Sequence, residues 1–364
     1  MVAPGLRRGP RPLLLHLMLP GSSAGSPSSS GGLPGWSGPD SALIRAIAAY
    51  RRHPWQRDLA DPPVIWTEGG SRLLDYGGEG PVVLVVPSLV NKAYVLDLMT
   101  GRSTLRWLAR EGVRPLLLDW GWPGEGERGF SLTDYCARLE RALATVPGRA
   151  GLIGYCMGGL LALAVALRCP TQVAALALLA TPWDFHADDA ETARRLGAML
   201  PWFEPMMLTG SLPVDALQTL FAMAAPGEVA DRYRAFGALD PASEAAAGFV
   251  ALEDWLNDGL PLVAPVAREV LDGWYGRNAP AGGTWRVAGW PVAPAELAVP
   301  AFFAIPSRDR IVPAASALAL QALLPGSAVH RPAAGHIGMV AGRRAEAALW
   351  RPLVDWLRGD ARLM

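Results

Sequence analysis

Ala150-Gly151-Leu152-Ile153-Gly154-Tyr155-Cys156-Met157-Gly158-Gly159 decides the reading of the whole chain. Its first four residues form a short apolar run of the kind that makes a buried strand, and an Ala/Leu-rich helical stretch follows Gly159. Strand and helix are joined by G-x-C-x-G. A turn this tight needs glycine on both sides, because Gly154 and Gly158 must lack side chains for strand and helix to approach. Cys156 is then held at the apex, beside a helix N-terminus whose free N–H groups favour a thiolate and a developing oxyanion. The bland alternative is a glycine-rich turn with an ordinary buried cysteine. The flanking strand and helix signals weigh against it.

Working outward, short apolar runs alternate with helical stretches. Strands are expected at Val82–Val86, Pro115–Asp119, Val173–Leu179, Val299–Ile305 and Ala328–Arg331, besides the one before the turn. Helices are expected at Ala42–Arg52, Tyr94–Glu111, Leu132–Thr145, Cys156–Leu167 and Leu349–Leu363. Strands separated by crossover helices make a mostly parallel sheet with helices on both faces. The strand–turn–helix resembles the nucleophile elbow of the α/β-hydrolase fold, with cysteine where serine is usual. That fold class predicts a first part of the core over 41–182, a helical cap insertion over 183–297 and a second part over 298–364. Residues 1–40 are expected to be a flexible N-terminal segment. The cap region is rich in Trp and Pro and should lie over the carboxyl edge of the sheet, where open α/β sheets place their sites.

A thiol nucleophile needs a base and an orienting acid, and in this fold they follow it in the order acid, then histidine. Asp309, in Asp309-Arg310-Ile311-Val312-Pro313, follows the strand ending at Ile305. His336, in Gly335-His336-Ile337-Gly338, follows the last strand. In this reading His336 takes the proton of Cys156, and Asp309 holds the imidazole in the right tautomer. An Asp in such a turn can instead simply cap the next helix. The oxyanion hole should use the backbone N–H of Met157 and a second donor after Val86, near Leu89 or Val90. Cys136 and Cys169 have no comparable context and read as structural.

Composition limits the alternatives. Lys+Arg 33 balances Asp+Glu 33, and charged residues make up 18% of 364. A neutral chain without a basic block is a poor nucleic-acid binder. Three cysteines are too few for a disulfide framework, and five scattered histidines leave little for a metal site, so neither metal nor cofactor is expected. The start pairs Arg7-Arg8 with an apolar run from Leu13 to Leu19, superficially like a signal peptide. Pro10, Pro12 and His16 interrupt it, and a short partner-binding or surface-seeking segment is the preferred reading. No stretch reaches the roughly 18 apolar residues of a spanning helix. A cytoplasmic location is expected.

Several segments together resemble the polyhydroxyalkanoate synthases. These are Pro87-Ser88-Leu89-Val90-Asn91-Lys92-Ala93-Tyr94-Val95-Leu96-Asp97-Leu98, Leu117-Leu118-Asp119-Trp120-Gly121, the Cys156 elbow, the Asp309 turn and the His336 loop, in that order. The length is similar to the short-subunit classes, and the likeness is weaker in the cap, around Leu252-Glu253-Asp254-Trp255. The resemblance implies Cys156 as nucleophile, Asp309 as its acidic partner and His336 as general base. It further implies acyltransfer from a 3-hydroxyacyl-CoA, by way of a cysteine acyl-enzyme, to the hydroxyl of a growing polyester, as in poly(3-hydroxybutyrate) biosynthesis. Association with a polyester granule surface, a second synthase subunit and a homodimer are likewise implied. The same residues suit a Cys-dependent hydrolase, such as a polyester depolymerase, esterase or thioesterase. A granule scaffold with an inactive hydrolase fold is the non-enzymatic alternative.

Overall fold

A computed structural model describes residues 7–18, 40–224 and 227–361. Its main sheet has eight strands: β1 Val64–Glu68, β2 Ser71–Asp75, β3 Val82–Val86, β4 Arg114–Asp119, β5 Ala150–Tyr155, β6 Val173–Leu179, β7 Ala301–Ala304 and β8 Ala328–His330. They lie in the order β1-β2-β4-β3-β5-β6-β7-β8. β1, β2 and β4 pair antiparallel, and every pairing from β4 through β3 to β8 is parallel. The central strands read Val-Val-Leu-Val-Val, Ala-Gly-Leu-Ile-Gly-Tyr and Val-Ala-Ala-Leu-Ala-Leu-Leu and are almost wholly buried. Parallel strands covered on both faces need this continuous apolar character, because neither face is left for polar residues.

The α/β sheet and the six strands expected from sequence are present, with ends shifted by a few residues. The β1–β2 hairpin was not foreseen. Its strands carry Thr67, Glu68 and Arg72, whose exposure near the sheet edge blurs the apolar signal. The helix expected over Tyr94–Glu111 is broken. A 3-10 turn at Ala93–Leu96 leads into a small hairpin, Asp97–Met99 with Arg102–Ser103, and only Thr104–Arg110 is α-helical. Gly101 turns that hairpin at φ +78°, and the buried Asp97 carboxylate receives the Arg106 guanidinium at 2.8 Å. The tail helix likewise splits into a π-helical turn at Glu346–Trp350 and an α-helix at Arg351–Arg358.

The chain divides into two compact units, whose limits differ from the boundaries drawn from sequence. The larger comprises 59–212 and 260–364, the smaller 1–58 and 213–259. Residues 183–212 and 260–297 therefore belong with the sheet, while Ser41–Arg52 does not. The apolar face of that helix, Leu43, Ala46, Ile47 and Tyr50, is buried against Ala230, Tyr233, Phe236 and Val250 instead. Within the smaller unit, Arg7 also donates to the Asp254 carboxylate at 2.7 Å and Arg11 to Asp215 at 2.8 Å. Thus 7–18, expected to be flexible, carries a short helix, Leu13–Met18, anchored by two arginines. The Gly/Ser/Pro-rich stretch 22–39 lies outside the described residues. No helix among the described residues is long and apolar enough to cross a membrane.

Candidate active site

The site is assembled at the carboxyl ends of β5, β7 and β8. Cys156 directly follows β5, and its N–H donates to the Leu179 carbonyl at the end of β6 at 2.8 Å. Its backbone sits at φ +56°, ψ −129°, a region that side-chain-bearing residues rarely occupy. The surroundings explain why the strain persists. A Cβ on Gly154 would lie 2.4 Å from the Gly159 Cα, and one on Gly159 would lie 1.9 Å from the Thr181 hydroxyl. On Gly158 it would lie 2.2 Å from the Val86 carbonyl oxygen and 2.4 Å from that of Pro87. These obstacles at Gly158 are backbone atoms at the end of β3 and cannot step aside. Gly158→Ala should therefore cost about 3 kcal/mol of stability in urea denaturation. Gly129→Ala, where an added Cβ meets nothing within 4 Å, should change stability little.

Asp309 and His336 meet because the parallel pairing of β7 with β8 continues into their loops. The N–H groups of Ile305, Ser307 and Arg308 donate in turn to the carbonyls of His330, Pro332 and Ala334 at 2.9–3.0 Å. The next residue is Asp309 on one side, and His336 follows closely on the other. Asp309 does not cap the next helix, whose N-cap is Pro313; it closes its own loop and meets the histidine. Its Oδ1 accepts from the N–H groups of Ile311 and Val312 at 2.8 and 2.9 Å, which pins the turn, and its Oδ2 faces His336 Nδ1 at 2.7 Å. Both side chains are buried. Pinned in this way, the carboxylate makes Nδ1 the protonated nitrogen and leaves Nε2 to the thiol.

The ionisation of His336 follows from these contacts. Burial works against its charge, but it is outweighed by the charge of Cys156, the Asp309 hydrogen bond and a hydrogen bond with Cys156 itself. Its pKa is pushed up to about 10. A raised imidazole pKa beside the nucleophile keeps a proton on the base, where a leaving group can collect it. The other cysteines differ. Burial pushes the thiols of Cys136 and Cys169 up, which keeps them protonated and inert. Among the described residues, His16, His53, His186 and His330 each place a ring nitrogen against a backbone carbonyl, and His336 is the histidine that meets a carboxylate.

Two site expectations change. Met157 opens the helix Met157–Arg168, so its N–H lies in the first turn, where an α-helix supplies no acceptor of its own, as suits an oxyanion donor. Val90 does not fit that role: its N–H donates to Ser88 Oγ at 3.2 Å, a turn closed within its own loop. The tryptophans expected to form a lid also separate. Trp183, Trp274 and Trp285 are buried in mutual ring contact at 5.5–6.4 Å, whereas Trp202 and Trp290 are 77% and 68% exposed and Trp255 belongs to the smaller unit.

Sequence reading missed Tyr155. Its hydroxyl donates to the His336 carbonyl at 3.3 Å and its ring lies 5.1 Å from the imidazole, so the strand residue before the thiol also steadies the base. As the x of G-x-C-x-G it carried no signal of its own. No group of three or more His, Cys, Asp or Glu side chains among the described residues is arranged to hold a metal ion.

Comparison with known proteins agrees with this fold. The family described as alpha/beta hydrolase fold matches residues 81–342. The chain is 29% identical over 311 residues to the poly(3-hydroxyalkanoate) polymerase subunit PhaC of Haloferax mediterranei, covering 80% of this chain and 63% of that protein. It is 28% identical over 296 residues to the PhaC subunit of Synechocystis sp., covering 76% of this chain and 77% of that one. Among solved structures, BpoC of Mycobacterium tuberculosis H37Rv, assigned as a non-heme bromoperoxidase, superposes with a TM-score of 0.50. That alignment spans 82% of this chain and 98% of the other at 19% identity, a likeness of fold. The family match spans well over half of the residues and takes in the elbow, the acid turn and the histidine loop, so the chain belongs to the α/β-hydrolase fold family, in which its curated relatives are poly(3-hydroxyalkanoate) polymerases.

Proposed function

We propose that this protein is an acyltransferase of the polyhydroxyalkanoate synthase type. The observation that carries the reading is a thiol, in place of the usual hydroxyl, at the strained apex of the elbow, hydrogen-bonded to an imidazole that Asp309 orients. A cysteine exchanges acyl groups with a thioester at little cost, because bond type and energy hardly change. Passing the acyl group on to an alcohol is then downhill.

The steps balance as follows. The Cys156 thiolate attacks the carbonyl carbon of a 3-hydroxyacyl-CoA, and the carbonyl electron pair moves onto oxygen near the Met157 N–H. Collapse breaks the carbon–sulfur bond to CoA, and the leaving thiolate takes the proton from His336 Nε2. The now neutral His336 accepts the proton of a 3-hydroxyl on a bound monomer or growing chain as that oxygen attacks the acyl-Cys156 carbonyl. The Sγ–acyl bond breaks and restores the thiolate–imidazolium pair. One ester bond is made and one CoA released as the free thiol, with no cofactor. A cytoplasmic protein working at the surface of a polyester granule, as a homodimer or beside a second subunit, suits this chemistry.

The test is to incubate purified protein with 3-hydroxybutyryl-CoA, alone and with candidate partner subunits, follow thiol release, and size the acyl product. High-mass polyester is the expected product. Free 3-hydroxy acid would identify a hydrolase instead, and absence of CoA release under every condition would overturn the proposal.

A further inference from the structure

An oxyanion hole pairs two N–H groups at a fixed spacing, and with Val90's N–H turned to Ser88 the partner of the Met157 N–H is that of Leu89. These two donors stand on separate segments that touch at one place. A Cβ on Gly158, the residue after Met157, would lie 2.4 Å from the Pro87 carbonyl oxygen and 2.6 Å from its carbon. The Pro87 carbonyl therefore rests directly on the first turn of the elbow helix. The same oxygen accepts from the Trp120 indole Nε1 at 3.0 Å, a bond buried from solvent. Because a peptide is planar, holding its carbonyl also fixes the direction in which the chain runs on to Ser88 and Leu89. Beyond them the loop is closed by the Val90 N–H on Ser88 Oγ, and the Val90 carbonyl accepts from the Leu260 N–H at 3.3 Å.

Trp120 is itself firmly held. It directly follows β4 and is buried. Its carbonyl accepts from Ser71 Oγ at 3.0 Å, and Ser71 in turn accepts from Arg138 at 3.1 Å. Its ring meets that of Tyr135 edge-on at 5.4 Å. The next residue, Gly121, packs on the Gly70 carbonyl, where an added Cβ would lie 1.8 Å from the oxygen.

We infer that Trp120 is a positioning residue of the oxyanion hole: its indole N–H fixes the Pro87 carbonyl against Gly158, and so sets the Leu89 N–H at the spacing from the Met157 N–H that a carbonyl oxygen under attack by Cys156 requires. Trp120 acts through the loop and touches no reacting atom. Without its bond the Pro87–Ser88 peptide can rotate, and the Leu89 N–H loses its aim. The carbonyl oxygen gains negative charge only as its π pair shifts onto it, so the loss falls on kcat and spares KM.

This role presupposes Cys156 as the acylated nucleophile, and two reactions of that thiol isolate it. Acylation by p-nitrophenyl 3-hydroxybutyrate or 3-hydroxybutyryl-CoA puts charge on a carbonyl oxygen. Alkylation by iodoacetamide displaces iodide at a saturated carbon and forms no oxyanion. Trp120→Phe should lower the rate of acylation relative to alkylation ~10-fold through kcat, less than the ~100-fold or more that follows deletion of an oxyanion donor. Trp120→benzothienylalanine keeps the shape of the ring and lacks only the N–H, so it should give the same fall even where the Phe variant does not fold. Tyr135→Leu, which removes the ring beside Trp120 and leaves the indole N–H, should keep the wild-type ratio. An unchanged ratio in the benzothienylalanine protein, or an equal fall in Tyr135→Leu, would overturn the inference. Wild-type protein acylated by the ester but not by the CoA thioester would refute the CoA substrate, and the ratio with the ester would still decide the role of Trp120. Acylation of wild type by neither donor would overturn both.

Discussion

Cys156→Ala protein releases no CoA from 3-hydroxybutyryl-CoA above the uncatalysed rate, while its thermal midpoint stays within a few degrees of wild type. The two halves of this expectation come from different features of one residue. The loss is complete because no other thiol can substitute. Burial pushes Cys136 and Cys169 up, away from the thiolate form, and neither appears among the groups acting on His336. Cys136→Ala and Cys169→Ala should accordingly keep turnover. Stability persists because the elbow is held by backbone: the Cys156 N–H on Leu179, the Gly159 N–H on the Cys156 carbonyl at 2.9 Å, and the glycine contacts around them. None of these uses the side chain. Cys156→Gly carries the argument further, since glycine occupies φ +56° without the Cβ penalty. That variant should be equally inactive yet more stable by about 1 kcal/mol, the strain released when a side chain leaves a sparsely populated backbone region. Urea denaturation beside a thiol-release assay measures both. An Ala variant turning over at the wild-type rate would remove Cys156 from the chemistry.

What could be read in the sequence was whatever depended on local pattern. The buried strands Val82–Val86 and Val173–Leu179 keep their expected bounds because a central parallel strand is apolar on both faces and leaves an unbroken run. Cys156, Asp309 and His336 were legible because each sits just past a strand end, where the fold places reacting groups. Non-local pairing was not legible. Ser41–Arg52 has the spacing of any amphipathic helix, and nothing in its residues says that its apolar face is buried with 230–250 and not on the sheet. Val90 could not be judged either, because an N–H carries no side-chain signal and its capture by Ser88 is a matter of loop geometry. The richness of the cap region in Trp was legible, but it could not separate Trp274, at 2% exposure, from Trp202, at 77%.

Asp309→Asn should cut turnover severely and move its alkaline limit toward neutral pH. In the wild-type chain the Asp309 carboxylate is aimed by two backbone N–H groups and accepts from His336 Nδ1 at 2.7 Å, so Nδ1 keeps its proton and Nε2 faces the thiol. An asparagine amide fits the same space but can turn its NH2 toward the ring. Nδ1 then becomes the acceptor, and Nε2 can no longer take a proton from the incoming hydroxyl. The corresponding change in a Ser-His-Asp triad costs ~10⁴-fold in kcat, and a thiol, which needs less help from the base than a hydroxyl, should lose somewhat less, ~10³-fold. The pH dependence has a definite sign. The His336 pKa lies above its ordinary 6.5, at about 10, so imidazolium is the occupied form throughout the neutral range. The proton that CoA needs on leaving is present there and is lost as pH rises through about 10. Stability follows the same window: the contribution of this raised group is full below 6.5 and fades as pH climbs toward 10. Asp309→Asn removes a hydrogen bond and a charge that hold the pKa up, so both the activity limb and the loss of stability should shift to lower pH. Single-turnover CoA release and thermal midpoints, each measured from pH 6 to about 10.5 across the titration window, test this directly. An alkaline limb unmoved in the Asn variant would show that Asp309 does not hold the proton on His336 and serves only to close its own loop.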